Sequence, residues 1–153
     1  MNASPQLLRE VFSKVLEKQA FIFAEEMEIG DMVDGGDWVE ASMSFRGPFD
    51  GNLSLALSKP AELEIAANFL GKDADDPEVA RFAEDSLKEI LNVVCGHALT
   101  ALAGENPVFD LSIPEVRPVP TSDWSALAAR PGTLGFDVEG HPALLRFQAI
   151  DRT

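Results

Sequence analysis

Glu89 and Asn92 are the residues of this 153-residue chain whose types and spacing best suit joint chemistry. If the segment is helical, an i, i+3 pair stands one turn apart on the same face. A carboxylate can receive a cation, and a carboxamide offers donor and acceptor while staying neutral. At roughly 100° per residue, Asp85, Glu89, Asn92, Gly96 and Ala103 form a narrow stripe, about 180° from the apolar positions of the same segment. Two features favour a working surface. Asparagine is a poor mid-helix residue, because its side chain competes for backbone hydrogen bonds. Gly96 costs about 1 kcal/mol against alanine in a helix interior, and removes bulk where another molecule could approach. The plain alternative is a solvated helix face.

Other chemistry is sparse. There is no glycine-rich phosphate loop, no HExxH and no cysteine pair. Two histidines, His97 and His141, do not make a metal set. His97 projects toward the apolar side of its segment, where a satisfied, partly buried imidazole is expected, and His141 precedes a proline in a turn. Ser86 has no evident base partner. The single cysteine, Cys95, reads as a small residue flanking the packed face. The acid pairs Glu25-Glu26 and Asp75-Asp76 sit on connectors as solvated charge.

The element that must carry the stripe spans 76–104. Asp76-Pro77-Glu78 supplies an N-cap acceptor, a proline in the first turn and an acid at the positive dipole end, and Gly104 suits the terminator. Val79, Phe82, Ala83, Leu87, Ile90, Leu91, Val94, Ala98 and Leu102 make its broad apolar face. Before it, Ser4-Pro5 starts a first helix whose apolar positions Leu7, Leu8, Val11, Phe12, Val15, Leu16 and Phe23 carry it to about Met27. An acidic connector, 25–37, follows. Period-two alternation then predicts strands at 38–46 and 53–58, paired as a hairpin across 47–51. Pro60, Glu62 and Gly71 bound a short helix, 60–70. After the central helix, 109–113 reads as a third strand ending at Pro114. The stretch 117–132, with Pro118, Pro120 and Pro131, is irregular apart from a helical turn near 124–129. Strands at 133–138 and 143–150 close the chain. Grouped strands with long helices predict an α+β fold, a mainly antiparallel sheet packed on one face by the helices.

The whole of 1–153 reads as a single domain, large enough to bury a core without disulfides or metal. With 46% hydrophobic and 25% charged residues, the composition is that of an ordinary globular protein. A formal charge of −14 argues against nucleic acid and anionic membrane surfaces. A protein partner must then meet a locally basic or neutral patch, or be basic itself. The apolar run 20–24 is too short to span a bilayer, the first residues lack a basic and apolar leader, and a lone cysteine fits a reducing compartment. A cytoplasmic location is expected.

At Asp85, Glu89, Asn92 and Pro114 the sequence resembles the CheC/CheX-type chemotaxis phosphatases. Their pattern is Asp or Ser, three residues, Glu, two residues, Asn, and a proline further on. The resemblance extends over the N-terminal helix, the hairpin, the motif helix and the final strands. It implies dephosphorylation of the phosphoaspartate of a CheY-type response regulator. Asn92 would orient the attacking water and Glu89 would pair with the regulator's lysine, with Asp85 and Gly96 as partner-contacting positions. No cofactor of the chain's own is implied, since Mg²⁺ is expected in the partner. CheC-like members carry a second ExxN on the first helix. Here that helix offers Glu10-Val11-Phe12-Ser13 and Glu17-Lys18-Gln19-Ala20, neither ending in Asn. The chain is therefore closer to CheX, whose members are typically homodimers paired through strands. The rival reading is a non-enzymatic module of the same fold that binds a regulator, an adaptor or a flagellar-switch component.

Overall fold

The computed structural model describes residues 4–32 and 36–151. Helix α1 (Pro5–Ala20) leads through strand β1 (Ala24–Glu26) to the hairpin β2 (Trp38–Arg46) and β3 (Phe49–Ser58). Helices α2 (Lys59–Leu70) and α3 (Pro77–Ala103) follow, then β4 (Asp110–Leu111), β5 (Glu115–Val119), α4 (Trp124–Ala129), β6 (Thr133–Val138) and β7 (His141–Asp151). The seven strands form one antiparallel sheet in the order β1-β6-β7-β3-β2-β4, with β5 also paired to β2. The expected α+β class is the one observed.

The core lies between one sheet face and α1, α2 and α3. Val39, Ala41, Met43 and Phe45 of β2 point into it with Leu53, Leu55 and Leu57 of β3, as the period-two pattern requires. From the helices come Leu8, Phe12 and Leu16 of α1, Ile65 of α2, and Leu87, Ile90, Leu91 and Val94 of α3. Each large aliphatic side chain so buried contributes about 1.5–3 kcal/mol over exposure, which sets the rotation of α3 about its own axis.

The long helices α1, α2 and α3 cover one face of the sheet, as expected, and the short α4 lies on the opposite side. On the other face Trp38, Ala56 and Leu144 pack with Val119, Trp124 and Leu127, the two indoles lying 4.1 Å apart at 38°. The proline-bearing stretch 117–132 is thus a strap. A buried carboxylate ties it down: Glu40 Oε1 accepts from Arg117 Nε at 3.1 Å and Nη2 at 2.8 Å, and its Oε2 accepts from Arg130 Nη2 at 2.6 Å. Two guanidinium groups thus supply charge-assisted hydrogen bonds to both oxygens of one buried acid, so removing either would leave buried charge uncompensated.

Three sequence expectations need correction. Helix α1 ends at Ala20, not near Met27. Phe21 takes the left-handed conformation, φ 54°, and its N–H reaches back to Glu17 and Leu16. Beyond it the period changes to two: Ile22 is fully buried between Phe21 and Phe23, which are 74% and 73% exposed, and the chain joins the sheet as β1. Phe23 therefore belongs to no helical face. Of the acidic connector, 33–35 lie outside the described residues. The expected strand 109–113 shrinks to the two residues of β4. The stronger strand there is β5, concealed by Pro118, which a sheet tolerates because β5 pairs only with β2 and sits at the edge. Finally, the β6–β7 connection is a two-residue turn with Glu139 at φ 52° and Gly140 at φ 80°, so β7 begins at His141.

Phe21 carries a prediction. A bulky residue in the left-handed region is strained, and this ring lacks burial to offset the cost. Phe21→Gly should raise stability by up to about 1 kcal/mol, read as a higher urea midpoint at unchanged slope. A lower midpoint would mean that the ring contributes to packing.

Candidate functional site

α3 extends over 27 residues, about 40 Å at 1.5 Å per residue. Its start is capped as the sequence indicates, with the Asp76 carboxylate accepting from the Glu78 N–H at 2.9 Å, and its end stops at Gly104, φ 83°. Ten residues along it are buried, from Val79 to Leu99. That face dictates the opposite one. Asp85, Glu89 and Asn92 are exposed, and Gly96 is half-buried on the same stripe. Glu89 and Asn92 make no side-chain hydrogen bond or ion pair among the described residues, so both are available to a partner. Asparagine here neither caps nor turns the backbone. Among the described residues it has no structural task.

Gly96 opens onto space: a Cβ built there would have nothing within 4 Å. It borders a groove of about 600 Å³ between α1 and α3, lined also by Leu7, Val11, Lys14, His97 and Thr100. This corrects the reading of His97. Its ring is exposed and lines the groove, because α1 does not close over α3 at that level.

The remaining candidates are settled by burial. The Ser86 hydroxyl is buried and donates to the Ala83 carbonyl at 2.7 Å. Cys95 is buried in the core, and desolvation pushes its thiol up to about 12, so it stays protonated and unreactive. No cluster of three or more His, Cys, Asp or Glu could hold a metal among the described residues. No helix among them is long and apolar enough to cross a membrane. Pro114 is buried between β4 and β5 and is not part of the α3 stripe. The groove is the feature that sequence reasoning missed. Its walls come from residues far apart in the chain, and only the glycine hinted at it.

The sequence profile of the family described as chemotaxis phosphatase CheX matches residues 39–118, which include the whole of α3. The chain belongs to the CheX family. Solved CheX structures share its fold. The CheX of a Borrelia burgdorferi complex of CheX, CheY, BeF3 and Mg²⁺ superposes with a TM-score of 0.68 at 17% identity, over 95% of this chain and 97% of that one. CheX from Vibrio vulnificus gives 0.67 at 20% identity, over 97% and 99%. Thermotoga maritima FliY, at 0.54 and 16% identity over 95% and 92%, has a related fold. No curated protein sequence matches.

The open stripe makes a second prediction. Gly96→Ala should stabilise α3 by up to about 1 kcal/mol, since nothing crowds the new methyl. Gly96→Leu should fold and melt no lower than wild type, yet lose affinity for a partner that docks one turn beyond Asn92. Thermal melts and binding of a regulator loaded with a phosphoryl mimic, on the same preparations, check both. Full binding by a stable Gly96→Leu protein would return Gly96 to a solvent-facing role.

Proposed function

We propose that the protein is a phosphatase acting on the phosphoaspartate of a CheY-type response regulator. The reading is carried by one observation: in a CheX-family chain, an exposed Glu and Asn without side-chain partners among the described residues share a stripe on a helix held by its opposite face. A CheX relative of the same fold is found with CheY, BeF3 and Mg²⁺, which supports a regulator of that kind as the partner.

The chemistry asks little of this chain. Water attacks the phosphorus, the bond from phosphorus to the aspartyl oxygen breaks, and the products are a free carboxylate and inorganic phosphate. Such transfer depends on alignment and charge stabilisation more than on covalent help. The Asn92 carboxamide can accept from the water and donate toward a phosphoryl oxygen, fixing the line of attack without adding negative charge. Glu89, one turn away, would repel the phosphoryl group if it approached directly, and so suits the regulator's lysine. The metal and the scissile bond both belong to the regulator. Because α3 is rigid, its two residues arrive pre-oriented and lose little entropy on docking.

A second reading, binding without turnover, is favoured by the groove beside Gly96, which serves docking whether or not chemistry follows. Phosphate release from a phosphorylated regulator, with and without the isolated chain, separates the two.

Asn92→Ala should keep the fold and most of the regulator binding while losing at least about 1.4 kcal/mol of transition-state stabilisation, tenfold or more in rate. Near wild-type turnover by this variant would remove Asn92 from the mechanism. Glu89→Ala should weaken binding as well as turnover, and wild-type affinity should fall with added salt because exposed pairs are screened. Equal affinity and turnover for wild type and Glu89→Ala would count against the lysine pairing.

A further inference from the structure

The groove beside Gly96 continues along α3 toward Asn92 as a smaller hollow of about 60 Å³, lined by Lys14, Lys18, Val93 and His97. α1 runs antiparallel to α3 here. Val11 shares the large groove with Thr100, whereas Lys18 shares the small hollow with Val93, the neighbour of Asn92. Successive turns of α1 therefore bring Lys14 and Lys18 toward the Glu89–Asn92 end.

Both lysines are exposed, and neither forms an ion pair or side-chain hydrogen bond among the described residues. Among the described residues Arg9, Lys59, Lys72, Arg117 and Arg130 are each engaged with a carboxylate, whereas Arg46, Arg81 and Lys88, like Lys14 and Lys18, form no ion pair. Of these only Lys14 and Lys18 line the groove and its hollow. Glu10, well spaced to pair with Lys14, instead accepts from Gln6 Nε2 at 3.2 Å. Two like charges at i and i+4 destabilise a helix slightly, and among the described residues neither lysine forms an ion pair, although Glu10 and Glu17 lie on the same helix. In a chain of net charge −14, with 12 Lys and Arg against 26 Asp and Glu, the α1 wall nearest the stripe carries two lysines, with Glu10 further along the same groove.

We propose that Lys14 and Lys18, which share a hollow with His97 and Val93, form a cationic docking strip for an acidic surface of the phosphorylated regulator. The inference rests on the phosphatase reading and adds the recognition element that reading lacks. A phosphorylated site bears phosphoryl oxygens and the carboxylates that hold its Mg²⁺, so the partner's approaching face is negative. A chain of net charge −14 repels such a face at long range. A local positive strip beside the working pair reverses the sign where contact is made, steering the encounter and fixing its orientation. The apolar wall of the groove then receives side chains next to the charges.

The test uses the double variants Lys14→Ala/Lys18→Ala, Lys14→Glu/Lys18→Glu and Lys14→Arg/Lys18→Arg in the full chain. Turnover is followed on a phosphorylated CheY-type regulator, and affinity on the same regulator loaded with beryllofluoride and Mg²⁺. The alanine pair should raise KM about tenfold with kcat unchanged within about twofold, the glutamate pair should raise it further, and the arginine pair should match wild type. The dependence of log affinity on log salt should be shallower for the alanine pair. Wild-type KM, affinity and salt slope in the alanine and glutamate pairs would overturn the strip. Asn92→Ala, assayed beside them, keeps the two ideas apart. An inactive Asn92→Ala protein with unaffected lysine variants sinks only the strip. Full turnover by Asn92→Ala with weakened lysine variants sinks only the role of the pair.

Discussion

Burial of one face of α3 is the constraint from which the rest follows. Leu87, Ile90, Leu91 and Val94 hold the helix against the sheet, and once they are in place the azimuth of every other residue on it is fixed. Glu89 and Asn92 point outward because their neighbours point inward. Any rotation of α3 that turned Asn92 away from solvent would expose aliphatic area worth several kcal/mol. Positioning of the candidate site is thus a by-product of ordinary core packing, and no network of polar contacts is spent on it.

The two sides of the sheet divide the remaining labour. One side supports the helices. The other is closed at one end by the strap that runs from β5 through α4, held by the tilted pair of indoles and by the acid between Arg117 and Arg130. The α4 part of the strap packs on the sheet face opposite the long helices, against Trp38, Ala56 and Leu144, and so stabilises the strands beneath the helices from the other side.

Most of the helical architecture could be read from sequence, because caps and periodicity are local. Asp76-Pro77 and Gly104 delimit α3 in the structure as they do in the pattern, and Gly71 ends α2 where the sequence places it. The misreadings share a cause, which is that strand pairing is decided by distant partners. Phe21 and Phe23 sit at helical spacing from α1, yet the antiparallel pairing of Ala24 with Val138 settles the conformation of that segment. Pro118 argues against a strand until its edge position is known. The Glu89–Asn92 stripe was legible because all of it lies on one helix. The groove was not, since its walls are residues 7–14 and 96–101 and their juxtaposition is tertiary. His97 was misjudged for the same reason: helical arithmetic gives a direction, but not whether anything stands there.

That Asp85, Glu89 and Asn92 make no side-chain hydrogen bond or ion pair among the described residues bears on how such a protein can change over generations. Exposed residues without partners are nearly free to mutate as far as stability is concerned. Replacing Asn92 would leave the core, the caps and the strap as they are, so selection for a stable fold offers that position no protection. On the proposed reading, a duplicated copy released from its task would lose that chemistry in a single step and keep its shape, and with it any capacity to bind. Scaffold and proposed activity would then be inherited separately, and a chain with this architecture would reveal its occupation only at the few positions its own folding ignores.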